Sequence, residues 1–155
     1  SLNIGKAAKD TLSIVGSLIN IGSLNSSMKK TEIGLAYYLE AEKLMQNIDN
    51  KEVKGSLFNN TAIAYRKLGD NLSAMNYYKR ALKLYIEIDW KYGQAYVLGN
   101  LGVLYEDTEK TGDSALFYYT QALKIHQTLK DEYGKGITKI NMALVHTQKR
   151  QFRIA

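Results

Sequence analysis

Residues 100–124 read NLGVLYEDTEKTGDSALFYYTQALK, and residues 60–83 read NTAIAYRKLGDNLSAMNYYKRALK. Each stretch begins with asparagine, carries Gly-Asp near its middle and ends with a Tyr-Tyr pair followed by Ala-Leu. The asparagine returns along the chain at intervals of 40 or 41 residues, as Asn20, Asn60, Asn100 and Asn141. Such a period is typical of one supersecondary unit copied in tandem, and stacked units form an extended surface for partners.

The apolar residues inside each unit follow helical spacing. In the second unit they recur every three or four residues from Phe58 to Leu68, and Gly69-Asp70 then interrupts the pattern. Gly69 is suited to end a first helix, and Asp70 or Asn71 is suited to cap a second. Each unit is therefore predicted to be a helical hairpin.

The same spacing predicts the organisation of the whole chain. The first helices of the hairpins, called A helices, are expected near residues 6–25, 51–68, 91–108 and 133–149. The second, or B, helices are expected near residues 31–48, 71–88 and 113–130, with a fourth beginning over 152–155. We expect one domain over residues 1–155, a piece of a longer array, with repeats at about 6–49, 50–89, 90–131 and 132–155.

Composition agrees with a helical array. Proline is absent, so the commonest helix breaker is missing. Cysteine is absent too, which excludes disulfides, thiolate metal sites and a cysteine nucleophile. No apolar run approaches the roughly 18 residues that a membrane span needs, and we expect no membrane contact by this chain.

Two units resemble the tetratricopeptide repeat pattern. The matching residues of one are Asn100 to Tyr105, Gly112-Asp113 and Ala115 to Leu123, and the other matches with Asn60, Ala62, Tyr65, Gly69-Asp70, Ala74, Tyr77-Tyr78 and Ala81-Leu82. Helix B continues without a closing proline, as in longer repeats of 40 to 42 residues similar to those of kinesin light chains, GoLoco-binding adaptors and bacterial sensors and regulators. The resemblance implies an all-α right-handed superhelix of stacked antiparallel hairpins that binds proteins or peptides, although family members differ in function.

The asparagine column is predicted to face away from its own B helix. At about 100° per residue, positions two before, two after and five after each asparagine lie on the opposite side of the helix. For Asn100 these are Leu98, Gly102 and Tyr105, which are small or apolar residues suited to packing on helix B. Small residues at such positions allow paired helices to approach closely.

In the family that the chain resembles, the A helices line a concave groove, so the asparagine face is a candidate peptide-binding site. A carboxamide both donates and accepts hydrogen bonds, as an extended peptide backbone requires. We expect apolar pockets between the asparagines and one cation on the stripe. The candidate residues are Asn20, Asn60, Asn100, Asn141, Ser56, Tyr96, Ile63, Val103 and Lys67, with Ile137 and Leu144 continuing the stripe. The alternative is that each asparagine bridges to the neighbouring repeat or satisfies a local backbone group.

The net charge of +6 leaves the type of partner open. An acidic peptide fits this charge, whereas nucleic acid is the less favoured partner because acidic residues interleave with the basic ones. Lys79, Arg80 and Lys83 are expected on the solvated convex face.

A further alternative is an assembly or ligand-sensing module of a larger signalling protein, such as a sensor kinase or transcription regulator. Homodimers could then form through the last A helix, where Met142, Val145 and His146 are expected to lie uncovered.

Enzyme chemistry has little support in the sequence. His126 and His146 are the only histidines, and His146 stands where earlier units carry Tyr65 and Tyr105, so it is expected to pack as they do. Phosphate-binding glycine loops, zinc-binding H-E-x-x-H and nucleophile elbows are absent from the sequence. We expect neither catalysis nor a cofactor or metal.

Overall fold

The structure is a computed structural model that describes residues 2–108 and 112–152, with side chains described for 9–108 and 112–149. Over these residues all regular secondary structure is α-helical. The helices are α1 (Leu2–Ser27), α2 (Thr31–Leu44), α3 (Lys51–Lys67), α4 (Asn71–Glu87), α5 (Lys91–Thr108), α6 (Asp113–Thr128) and α7 (Glu132–Phe152). The prediction of an all-α chain built from helical hairpins is confirmed.

Most predicted helix bounds agree with the structure within two residues, and the exceptions are the start of α1 and the ends of α2 and α7. Helix α2 ends at Leu44 instead of continuing to residue 48, and α1 begins at Leu2. Helix α7 continues to Phe152, so this residue belongs to the last A helix and does not start a B helix. The rest of the expected fourth B helix, residues 153–155, lies outside the described residues.

The chain forms two compact units, Ser1–Leu84 and Tyr85–Ala155. In the first unit α1 packs on α2, and α3 packs on both of them. In the second unit α5 packs on α6, and α6 packs on α7. This packing of sequential helices gives an α-solenoid of the tetratricopeptide type, whereas the single-domain division into four repeats remains a prediction.

Four of the turns have the same backbone conformation and hydrogen bond. Gly69 has a φ of 83°, and the next residue, Asp70, donates its backbone N–H to the carbonyl of Tyr65 at 3.0 Å. The same bond to the carbonyl five residues back closes α1, α4 and α6, where the left-handed residue is Lys29, Asp89 or Lys130. This six-to-one bond satisfies a carbonyl that the helix end leaves without a partner. The predicted helix end at Gly69 is confirmed.

Acidic or amide side chains then start several of the following helices. Asp70 Oδ1 accepts the backbone N–H of Ser73 at 3.0 Å, and hydrogen bonds from Ser73 lower the pKa of Asp70. Asn50 caps α3 in the same way through Val53. Asp131 Oδ1 accepts the N–H of Gly134 at 2.9 Å, which lowers the pKa of Asp131. Of the two predicted capping residues for α4, Asp70 provides the cap.

His126 has a structural role that its isolated position in the sequence did not indicate. Its Nδ1 lies 2.8 Å from Oδ2 of Asp131, and so it joins the end of α6 to the turn before α7. This pair uses the second carboxylate oxygen of Asp131, because the first accepts the helix-capping N–H. His126 therefore supports the turn between two helices.

A buried tyrosine from each B helix fixes the hairpins. Tyr38 and Tyr119 are 2% and 0% exposed. A Cβ added to Gly22 would lie 2.6 Å from a ring carbon of Tyr38, and a Cβ on Gly102 would overlap the ring of Tyr119. Ala41, Ala62, Ala81 and Ala122 are fully buried as well. The predicted close approach of paired helices at small residues is confirmed.

The last A helix packs differently from the prediction. Val145 is 1% exposed and forms a core cluster with Ala115 and Tyr119 of α6, against which Met142 also packs. His146 is exposed, so the expectation that it packs like Tyr65 and Tyr105 is wrong. Those tyrosines contact a following B helix, and His146 points to the corresponding side of α7. The expectation that Val145 is uncovered is also wrong, because α6 covers it.

Two glycines of α5 provide a matched test of the hairpin contact. Gly102→Ala should lower the free energy of unfolding by about 1–2 kcal/mol, because the buried ring of Tyr119 occupies the space of the new methyl group. Gly99→Ala, with nothing within 4 Å of the added Cβ, should raise it by about 0.5–1 kcal/mol through helix propensity. Urea denaturation measures both, and equal stabilisation by the two substitutions would contradict the contact.

Candidate functional site

The A helices turn one face toward their own B helix. In α3, Phe58 meets the ring of Tyr77 edge-on at 5.8 Å, and Tyr65 stacks on the same ring at 5.5 Å. In α5, Tyr105 stacks on Tyr118 at 5.2 Å. These are the residues that the helical spacing placed on the side opposite Asn60 and Asn100. The predicted contact of these residues with helix B is confirmed in both hairpins, and the orientation of the asparagine side chains stays a prediction.

In the first unit the candidate residues differ in exposure. Asn20 and Lys67 are exposed, whereas Ser56, Asn60 and Ile63 are half-buried along α3. Lys67 Nζ donates to the backbone carbonyl of Ser26 at 3.3 Å and so joins the end of α3 to the end of α1. The cation expected on the stripe is therefore held in place by the preceding A helix.

In the second unit the candidate residues alternate polar and apolar groups. Tyr96 is 62% exposed, and Asn100 and Val103 are half-buried on the same stripe of α5. Val103 also packs against the cluster of Ala115, Tyr119 and Val145. On α7 the half-buried Asn141 stands between Ile137 and Leu144, which are 43% and 54% exposed. Both A helices of this unit therefore present an amide between apolar side chains.

Comparison with known proteins adds the family. Residues 13–87 match the family model described as Tetratricopeptide repeat. This segment belongs to the tetratricopeptide repeat family. Among curated proteins, none matches the sequence significantly. The fold is similar to the crystal structure of BtubC (BKLC) from P. vanneervenii, with a TM-score of 0.78 and 24% identity over 90% of this chain. This chain spans 57% of the length of that structure, and at this identity the likeness shows the fold alone.

Family membership bears on the class of function. Tetratricopeptide repeats generally mediate protein–protein interactions and are typically non-catalytic scaffolds. Within residues 2–108 and 112–152, no helix combines the length and apolar composition needed to cross a membrane. Over the same ranges, acidic residues and histidines form no cluster of three suited to a metal ion.

One tetratricopeptide helix exposes more apolar surface than the sequence analysis identified. Tyr133 and Ile140 of α7 are 80% and 62% exposed and lie in line with Ile137 and Leu144. Their spacing of four, three and four residues places all four side chains on one helix face. This spacing is readable in the sequence. An exposed apolar stripe of this length is characteristic of a binding surface.

A polar network between two B helices was also missed. Glu42 of α2 accepts a hydrogen bond from the Tyr77 hydroxyl at 2.7 Å and one from Arg80 Nη2 at 2.6 Å. The Arg80 guanidinium lies 3.8 Å from the centroid of the Phe58 ring. The expectation that Arg80 belongs to a solvated face is therefore wrong, because a carboxylate and an aromatic ring hold it against the neighbouring helices.

The environment of Tyr77 reflects this packing. Burial, together with the hydrogen bond and negative charge of Glu42, raises the pKa of Tyr77 from its ordinary value to about 12. The phenol therefore stays protonated and continues to donate to Glu42 throughout the physiological pH range.

Glu42→Ala should lower the free energy of unfolding by about 1–2 kcal/mol, because it removes the acceptor shared by Tyr77 and Arg80. A double-mutant cycle with Arg80→Ala should give a coupling energy of about 1 kcal/mol. Lys91→Ala is the control, since its ion pair with Asp89 is exposed and should contribute less than about 0.5 kcal/mol. Zero coupling between positions 42 and 80 would show that the network does not hold α2 and α4 together.

Proposed function

We propose that this chain binds an extended peptide segment of a partner protein on the asparagine-bearing face of its A helices. The observation that carries the proposal is the stripe on α5 and its repetition on α7. On α5 a half-buried asparagine stands between the exposed Tyr96 and the half-buried Val103, and on α7 a half-buried asparagine stands between the exposed Ile137 and Leu144. Such an arrangement offers backbone hydrogen bonds and side-chain pockets together.

The asparagines would recognise the peptide backbone. Asn60, Asn100 and Asn141 are half-buried, so their amides are partly fixed and lose less conformational freedom when a ligand binds. Asn20 continues the column on α1 and is more exposed. A carboxamide can accept from a peptide N–H and donate to a peptide carbonyl at once, which favours extended segments over helical ones.

The apolar residues would select side chains of the peptide. Tyr96 is 62% exposed and provides a flat aromatic wall. Val103 and Ile63 are half-buried and would form the floors of shallower pockets. On α7, Ile137 and Leu144 would extend the same pattern. Peptides with alternating apolar residues are therefore the expected ligands.

Charge would favour acidic peptides. Lys67 uses a hydrogen bond to the carbonyl of Ser26, and an ammonium group has three donors, so it can still bind a carboxylate. Ser56 lies half-buried on the same helix and adds a hydroxyl. The net charge of +6 increases the rate at which an acidic segment meets this face.

The assembly or sensing alternative also has one supporting observation. Ala143 and His146 of α7 are exposed, although the equivalent positions of α3 and α5 contact the following B helix. A further helix, from this protein or from a second copy, fits that face. Under this alternative the asparagine face need not bind a ligand.

The test is selection of ligands from a displayed library of random 12-residue peptides, followed by affinity measurement with the best binder. The variant Asn60→Ala, Asn100→Ala, Asn141→Ala should bind it at least about tenfold more weakly, since each lost hydrogen bond contributes about 0.5–1.5 kcal/mol. The matched control is Asn47→Ala, Asn76→Ala, which removes two exposed amides outside the A helices and should bind as the parent does.

Circular dichroism and urea denaturation must show that both variants are folded. Equal affinity of the triple variant and the parent would make the asparagine column structural and refute its role in binding. Failure to select any peptide, together with a concentration-dependent mass in solution, would favour the assembly alternative.

A further inference from the structure

The structure shows how one B helix packs on the previous one. Helix α4 uses Tyr77 and Arg80, three residues apart on one face, to contact Glu42 of α2. Phe58 and Tyr65 of α3 cover the rest of the Tyr77 ring. This contact defines the face by which a B helix of this chain joins a preceding helix.

Helix α2 carries the same face 40 residues earlier, at Tyr37 and Glu40. Here the face borders an open groove of about 420 Å³, lined by Glu32, Ile33, Ala36, Tyr37 and Glu40. Ile33 is 48% exposed, and Glu32, Ala36 and Glu40 are exposed as well. The residues recur at the three- and four-residue spacing of a single helix face, so they form a continuous surface.

The first repeat has Asn25 at the position where the next two repeats have an aromatic residue beside this face. Tyr65 stacks on Tyr77 and Tyr105 stacks on Tyr118, but the equivalent position of the first repeat is Asn25. The side chain of Asn25 donates to the carbonyl of Ile21 within α1, at 2.9 Å. The first repeat therefore lacks the aromatic stack that its two successors place on this tyrosine.

The charge at the key position is reversed. Arg80 of α4 pairs with Glu42, whereas the equivalent residue of α2 is Glu40. Glu32 lines the same groove as Glu40. The groove is lined by two carboxylates and three apolar or aromatic side chains, although the chain as a whole carries a net charge of +6. A helix that docks on this groove as α2 docks on α4 would face Glu40 with the position that Glu42 occupies in α2. That position must carry a cation to pair with Glu40.

We propose that this groove binds a basic amphipathic α-helix of a partner protein. The apolar side of that helix lies on Ile33, Ala36 and Tyr37, and a lysine or arginine pairs with Glu40. Glu32 supplies a second carboxylate about two helical turns away from Glu40 for another cation. This site belongs to a B helix and is separate from the asparagine-bearing face, so the two sites can be tested independently.

The chain itself supplies the probe. A peptide of residues 31–48, held helical by a covalent side-chain staple on the face away from residue 42, is made with Glu42 and with Glu42→Lys. If the occupant docks as α2 docks on α4, the Glu42→Lys peptide should bind the full chain about fivefold or more tightly than the Glu42 peptide. Fluorescence anisotropy with a labelled peptide measures both affinities.

Reversing the charge of the groove should reverse this preference. In Glu40→Arg, the Glu42 peptide restores the pair seen between Arg80 and Glu42, so it should become the tighter ligand. The control Glu52→Arg makes the same charge change at an exposed position outside the groove and should leave the preference of the parent unchanged. Tyr37→Ala should weaken both peptides.

Absence of binding by both stapled peptides would overturn the proposal, as would a preference that Glu40→Arg does not alter. If Glu52→Arg alters it equally, the attraction is non-specific and the groove is not the site. A concentration-dependent mass of the parent that Glu40→Arg abolishes would assign the groove to a second copy of this chain and refute the separate partner.

Discussion

The hairpins depend on a buried tyrosine ring that α2 and α6 each place against the A helix that precedes it. Gly22 leaves space for Tyr38, and Gly102 leaves space for Tyr119, so a side chain at either glycine would collide with the ring. Because the ring fits only where the A helix lacks bulk, the contact fixes the rotation of both helices about their axes. Helical geometry then places position 20 of α1 and position 100 of α5 on the opposite side of their helices from these glycines.

The repeats keep the positions that build the hairpin and vary those that meet other surfaces. Ala41, Ala81 and Ala122 are fully buried in three successive B helices. In contrast, one exposed-face position holds Glu40 in the first repeat and Arg80 in the second. The first lines an open acidic groove, and the second closes a contact between helices. The contacts at this position therefore change while the fold is preserved.

The features that could be predicted from the sequence are those that depend on local residue spacing. The features that could not be predicted depend on contacts between helices or on backbone hydrogen bonds at helix ends. Helical periodicity and Gly69-Asp70 were sufficient for the hairpins and for the residues that contact helix B. Three of the four equivalent helix ends place Lys29, Asp89 or Lys130 in the left-handed region, where glycine was the expected signal. Their backbone strain is compensated by the six-to-one hydrogen bond that follows, which composition does not reveal. The prediction that Arg80 lies on a solvated face was wrong for a similar reason. Its charge indicated exposure to solvent, but the Phe58 ring and the Glu42 carboxylate that bind it come from other helices.

Thiol labelling of single cysteines in α5 tests the orientation of the asparagine face, and because the chain has no cysteine of its own, only the introduced thiol reacts. Tyr96 is 62% exposed on the asparagine side, and Leu98 is 7% exposed on the hairpin side, two residues away. The account predicts fast labelling of Tyr96→Cys and slow labelling of Leu98→Cys under native conditions, with equal rates in urea. Faster labelling at position 98 than at position 96 in the folded protein would contradict the orientation of the asparagine face.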